Sequence, residues 1–168
     1  MTKEHIEILS ARLFKPRQNL IIPNVSWGFG VHECDLLVVS GSGYLTEIEI
    51  KISKSDLKKD LDKSHAHESK KIRYLYFAIP EKLLDCTDLI PERAGIICCY
   101  KNKREITGYS GGQKQYVEIP KAKIIRKATP QTSCKPIDDK DRYVLARLGA
   151  LRIWGLKEKL HEQTSNNK

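Results

Sequence analysis

The chain has 168 residues, enough for one domain with a sizeable core. Apolar residues make up 40%, no apolar run approaches membrane-spanning length, and the opening Met-Thr-Lys-Glu-His lacks a hydrophobic signal segment; a cytoplasmic globular protein is expected, with no membrane partner. A net charge of +9 favours a polyanionic partner such as nucleic acid or anionic lipid.

Residues 3–14 read as a helix, with Ile6, Leu9 and Leu13 in one stripe, Thr2 as a cap and Pro16 as the stop. Residues 19–25 suggest a strand, where Pro23 points to an edge or a bulge. Trp27-Gly-Phe-Gly30 is a loop whose aromatics either pin it to the core or stack on a base. Strands at 32–39 and 44–52 follow, joined by the hairpin turn Ser40-Gly-Ser-Gly43.

Ser53 and Asp56 resemble a capping box, opening a helix that runs to about 64 or 69 with Leu57 and Leu61 inward. The continuous apolar run Tyr74–Ile79 reads as a buried strand, so residues 44–79 form a right-handed parallel crossover. A short helix at 81–86, a strand at 94–100, a hairpin region at 104–126 and a polar linker at 127–137 come next. The last helix spans roughly 138–160, with Val144, Leu145, Leu148, Leu151 and Trp154 inward. Residues 1–162 are expected to form a single domain, and residues 163–168 a disordered tail. The five cysteines are odd in number and form no CxxC, which fits buried free thiols and argues against structural zinc.

The chemistry concentrates in the second hairpin. Glu47, Glu49 and Lys51 alternate with Ile48, Ile50 and Ile52, so two carboxylates and an ammonium share one face. Such a strand is commonly a solvated face with cross-strand charge pairs. Asp35 on the neighbouring strand, a helix N-terminus directly after Lys51, and acids on the first helix point instead to a cation site on a phosphate-attracting surface. Glu47 and Glu33 fit either a supporting acid or a solvated position. His65 and His67 lack the spacing of a metal pair on a helix and read as solvated or phosphate-contacting. Lys54, Lys58, Lys59, Lys63, Lys70 and Lys71 form a candidate phosphate track beside the site, or an exposed helix face.

Together, Glu33-Cys-Asp-Leu-Leu, Glu47-Ile-Glu-Ile-Lys-Ile-Ser-Lys-Ser-Asp-Leu-Lys-Lys-Asp60, Tyr74-Leu-Tyr-Phe-Ala-Ile-Pro-Glu81 and Ile90-Pro-Glu-Arg-Ala-Gly-Ile96 resemble the PD-(D/E)xK nuclease superfamily. The likeness is closer to its MmcB-type branch, a group of proposed DNA-repair endonucleases, and it covers roughly residues 31–100. It implies an α/β fold in which helices flank a mixed central sheet of about five strands, a restriction-endonuclease-like core closed by the C-terminal helix. It implies Mg²⁺- or Mn²⁺-dependent hydrolysis of DNA, with Asp35, Glu49 and the Ile50 carbonyl as metal ligands and Lys51 as the catalytic lysine. Glu7, or failing it Glu4, matches the helical glutamate that the family often adds. Cys34 stands where the family's proline precedes the aspartate. A non-catalytic DNA-binding protein on the same fold is the alternative, and the oligomeric state stays open, with a homodimer among the options.

Overall fold

A computed structural model describes residues 1–25, 33–61, 69–107 and 114–166. Trp27, Phe29, Lys63, His65 and His67 lie outside the described residues. The fold is organised around β3, Leu45–Ile50, whose six residues are all buried. A strand with both faces covered needs a strand on each side and a layer above and below.

The strands are β1 (Leu20–Val25), β2 (Cys34–Val39), β3, β4 (Ile72–Pro80), β5 (Gly95–Thr107) and β6 (Lys114–Arg126). They lie in sequential order in one six-stranded sheet. β3, β4 and β5 run parallel, while the β1–β2, β2–β3 and β5–β6 pairs are antiparallel. The helices are α1 (Lys3–Leu13), α2 (Lys54–Leu61) and α3 (Asp139–Asn166), with a 3-10 segment at Glu81–Leu89. The class is therefore α/β: a mixed sheet flanked by helices, with a C-terminal helix.

Local signals set these elements. Thr2 caps α1, its hydroxyl accepting from the His5 N–H at 3.3 Å, and the helix ends where Lys15 turns left-handed before Pro16. Gly43, at φ +86°, closes the β2–β3 turn. The Ser53 hydroxyl accepts from the Asp56 N–H at 3.1 Å, and the Asp56 carboxylate accepts from the Ile52 N–H at 3.3 Å. That is the expected reciprocal cap, reaching one residue further back.

The strict alternation in β3 distributes the layers. Ile48 and Ile50 face α1, where Ile6 and Leu9 pack with Leu36, Val38 and Tyr76. The opposite face carries two separate apolar clusters. In one, Leu145 of α3 meets Ile22, Leu37 and Leu45. In the other, Leu57 of α2 meets Leu75, Phe77 and Leu83.

Several elements differ from the sequence expectation. The sheet has six strands, because the anticipated strand at 94–100 and the hairpin region at 104–126 are one long hairpin. Its outer half, from Lys101 to Glu105, is exposed, and exposed polar strand carries no apolar pattern to reveal continuity. The polar linker after β6 does not hang free. It crosses one end of the sheet, donating from Thr129 N to Arg93 O at 2.9 Å, Gln131 N to Arg73 O at 2.8 Å and Ile137 N to Gly43 O at 3.0 Å. It thereby carries the chain from β6 at one edge to β1 at the other.

α3 is longer than expected. It continues through Asn166, across residues anticipated as a disordered tail, and the Thr164 and Ser165 hydroxyls bond back to the His161 carbonyl. Leu145 is buried and Leu148 partly so, but Leu151 and Trp154 are 59% and 61% exposed rather than inward. Among the described residues, α3 packs on the sheet's apolar cluster through Leu145 and Leu148, both in its first half. All five cysteines are buried and free, as expected.

Gly95 opens β5 against Tyr76. A Cβ here would overlap the Tyr76 ring and stand 2.7 Å from the Ala128 backbone nitrogen. Gly95→Ala is therefore expected to destabilise the chain by roughly 1–3 kcal/mol, read as a lower urea midpoint at unchanged slope. An unchanged midpoint would show that this corner relaxes freely.

Candidate active site

Glu47, Glu49 and Lys51 are 0%, 3% and 5% exposed. They are not a solvated face. They sit on the side of β3 that bears the two apolar clusters, along the seam between them. Withdrawing an ion from water costs several kcal/mol, so three such groups on one strand are an expensive feature to retain without use.

The cleft that Glu49 and Lys51 line has a volume of about 380 Å³ and lies where the C-terminal end of β3 meets the start of α1 and helix α2. Its walls include Lys3, Asp35, Glu49, Ile50, Lys51 and Asp56. The β2–β3 register pairs Leu36 with Ile48; one residue further it sets Asp35 opposite Glu49. Asp35 is fixed twice, its Oδ2 accepting from the Ile50 N–H at 2.7 Å and its Oδ1 lying 2.6 Å from Lys3 Nζ. Lys51 Nζ lies 3.0 Å from Glu49 Oε2 and 5.9 Å from the centre of the Phe77 ring. The Lys51 backbone N–H donates to Ala78 O at 3.0 Å, which holds the strand end against β4.

The electrostatics show crowded carboxylates. The Glu7 carboxyl titrates above its ordinary value, chiefly through burial and then through the charge of Asp35. The Cys34 thiol is pushed far up by burial, with Glu47, Glu49 and Asp35 adding to the effect. The Lys3 ammonium is held above its ordinary value by its hydrogen bond to Asp35, against the lowering effect of burial. Glu7 thus lies within electrostatic reach of Asp35. Glu4 is exposed on α1, and its carboxyl titrates low because of hydrogen bonds to its own backbone and to Thr2. Glu7 is therefore the better placed of the two.

The structure brings Asp35, Glu49, Ile50 and Lys51 into one cleft and sets Glu7 close by; Glu33 also lines it. Glu47, one step deeper on the same face, is fully buried. Lys59 lines the cleft, whereas Lys54 and Lys58 are exposed on α2 and do not line it. Lys70 and Lys71 are not part of this group. They precede β4, and a parallel crossover starts its second strand at the end of the sheet opposite to where its first strand stops. Lys70 instead lines a separate cleft with Arg93, Thr129 and Gln131, and Lys71 Nζ lies 3.9 Å from Asp141 Oδ2 of α3.

Three wall residues escaped the sequence reading. Lys3 is 32 positions from Asp35, and no local pattern links them. Asp56 is legible only as a cap. Asn24, at φ +49°, is a left-handed residue after Pro23, for which the bulge signal was the only clue.

Asp35, Glu49 and the Ile50 carbonyl make a hard, all-oxygen donor set that suits magnesium or manganese, ions that keep several waters and bind partly through substrate phosphate. Among the described residues, no three His, Cys, Asp or Glu side chains gather as a metal-holding group. A cation here would have two protein carboxylates and would displace the Lys3 ammonium, whose side chain is 47% exposed and able to swing out.

No protein-family profile matches the chain, and no curated protein matches it. Among solved structures, it is similar to SPO1766, a protein of unknown function from Silicibacter pomeroyi, with a TM-score of 0.60 and 15% identity across 98% of this chain and 94% of that one. At that identity the likeness shows a shared fold over nearly the whole length and carries nothing about activity. Among the described residues, no helix is long and apolar enough to cross a membrane.

Two measurements test the site's electrostatics. Asp35→Asn keeps an oxygen for the Ile50 N–H and loses a partly exposed ion pair worth about 0–1 kcal/mol, so Tm should stay within roughly 4 °C of the wild type. A much larger fall would mark Asp35 as a structural acid. For Glu7 the folded state holds its proton more tightly than the unfolded chain, so its contribution to stability falls as pH rises from the ordinary carboxylate value through the raised one. Glu7→Gln should remove that descent and raise Tm at pH 7 but not at pH 4. Parallel wild-type and variant curves across that window would disprove the crowding.

Proposed function

We propose that the chain is a divalent-metal-dependent DNA endonuclease of the PD-(D/E)xK type, cytoplasmic and engaged in DNA repair or processing. The observation that carries this reading is the burial of Glu49 and Lys51 at the end of β3, with Asp35 locked to the Ile50 backbone beside them. Charge held so far from water at an open cleft fits pre-organised transition-state chemistry better than a surface ion pair.

In this reading Asp35, Glu49 and the Ile50 carbonyl would hold the cation, with Glu7 as a further acid. A divalent cation bound there would supply positive charge to the scissile phosphate and lower the pKa of a water. Lys51, positioned by Glu49, orients the attacking water and offsets the charge that grows on the phosphorane-like transition state. Lys59, which lines the cleft, and Lys54 and Lys58, exposed on the same helix, hold the flanking phosphates.

A second reading, a non-catalytic DNA-binding protein on the same fold, has its own support. Lys3 on Asp35 and Lys51 on Glu49 put an ammonium on each acid, where a cation would otherwise sit. Paired assays separate the two. Cleavage of supercoiled, branched and single-stranded DNA is followed with Mg²⁺ or Mn²⁺, and binding is titrated across a salt series. Lys51→Ala should abolish cleavage and leave affinity near wild type. Lys58→Ala with Lys59→Ala should weaken binding and flatten the log–log salt slope by about 2. Wild-type binding without cleavage under either metal would favour the second reading.

A further inference from the structure

Helix α3 carries six large apolar side chains that are solvated. Tyr143, Leu151, Ile153, Trp154, Leu156 and Leu160 are all 57–69% exposed. The helix seats on β1 through Leu145 and Leu148, Gly149 lies against Ile22, and Arg152 Nη2 donates to Asn24 O at 2.7 Å. At 100° per residue, the side turned away from β1 carries Arg147, Leu151, Trp154 and Glu158. Their spacing of four, three and four residues is that of a packing seam.

This seam is complementary to itself. If two copies of α3 lie antiparallel about a two-fold axis between residues 152 and 153, Leu151 falls opposite Trp154 of the partner subunit. Arg147 then falls opposite Glu158 of the partner subunit, and both contacts occur twice. The helix dipoles also oppose. No like charges meet in this register, whereas a parallel pairing in register would set Arg147 on Arg147 and Glu158 on Glu158.

We propose that this face of α3 is a homodimer interface, in which two copies of the chain pair their C-terminal helices antiparallel through Leu151 and Trp154, with Arg147–Glu158 ion pairs at both ends. Two tryptophans, two leucines, the two Tyr143 rings and the stems of Arg147 and Glu158 bury roughly 1,000 Å² in total, at the small end of specific interfaces. The dimer is therefore concentration-dependent. The interface lies on the far side of α3 from β1 and is independent of the nuclease reading.

The test is sedimentation across a series from about 1 to 200 µM, which covers the affinities of weak, reversible dimers. Arg147 and Glu158 are exposed, so each variant should fold as the wild type does, which circular dichroism checks. Wild type should dimerise reversibly. Arg147→Glu and Glu158→Arg should each raise the dimer Kd at least about tenfold, since each sets like charges together twice. The double variant should recover dimerisation to near wild type. A wild type that stays monomeric throughout would overturn the proposal. So would a dimer indifferent to both single reversals and to Trp154→Ala, or a double variant no better than the singles.

Discussion

The arrangement depends on the confinement of charge inside β3. Glu47 and Glu49 occupy alternate positions of a strand that is covered on both faces, and Lys51 continues the alternation just past its end. That strand cannot move to an edge, where it would face water, nor can its register slip by one residue without driving Ile48 and Ile50 into the polar seam. The layers on either side follow. α1 covers the isoleucine face, and α2 and α3 cover the other face as two patches instead of one sheet-wide layer. The gap between those patches is where the charged side chains lie, so the cleft is what remains when a polar strip divides an apolar face.

Topology then decides which cations share the cleft. α2 starts just after β3 stops, so Asp56 in its first turn and Lys59 one turn on border the acids. The chain must return across the sheet before β4 begins, and Lys70 and Lys71 are left at the other end. One basic stretch in the sequence becomes two groups in space. The second is backed by the linker that ties the starts of β4 and β5 to the β2–β3 turn. A run of lysines in sequence is therefore poor evidence for a continuous surface track when a parallel crossover lies within it.

How much could be read beforehand follows from the range of each interaction. The β2–β3 hairpin, the cap at Ser53, the parallel crossover and the gathering of Asp35 with Glu49 and Lys51 are written in neighbouring residues: period-two alternation, a glycine turn, a serine followed by an aspartate. The Lys3–Asp35 contact is not, since it arises from the way α1 crosses the sheet. The depth of Glu47 was equally hidden, because alternation places a side chain on a face but says nothing of what covers that face. At α3 the helical period was legible but the width of its support was not, so Leu151 and Trp154 were assigned inward by pattern alone.

The five buried thiols have a practical consequence. Burial raises the Cys99 thiol to about 12 and lifts Cys34, Cys98 and Cys134 as well, so little thiolate exists at neutral pH and none is presented to reagent. They are distributed through the sheet, the 3-10 segment and the linker that crosses the sheet end. Alkylation of the native chain therefore has to wait for local or global opening, and the order in which the cysteines are labelled becomes a residue-resolved clock of which parts of the domain come apart first.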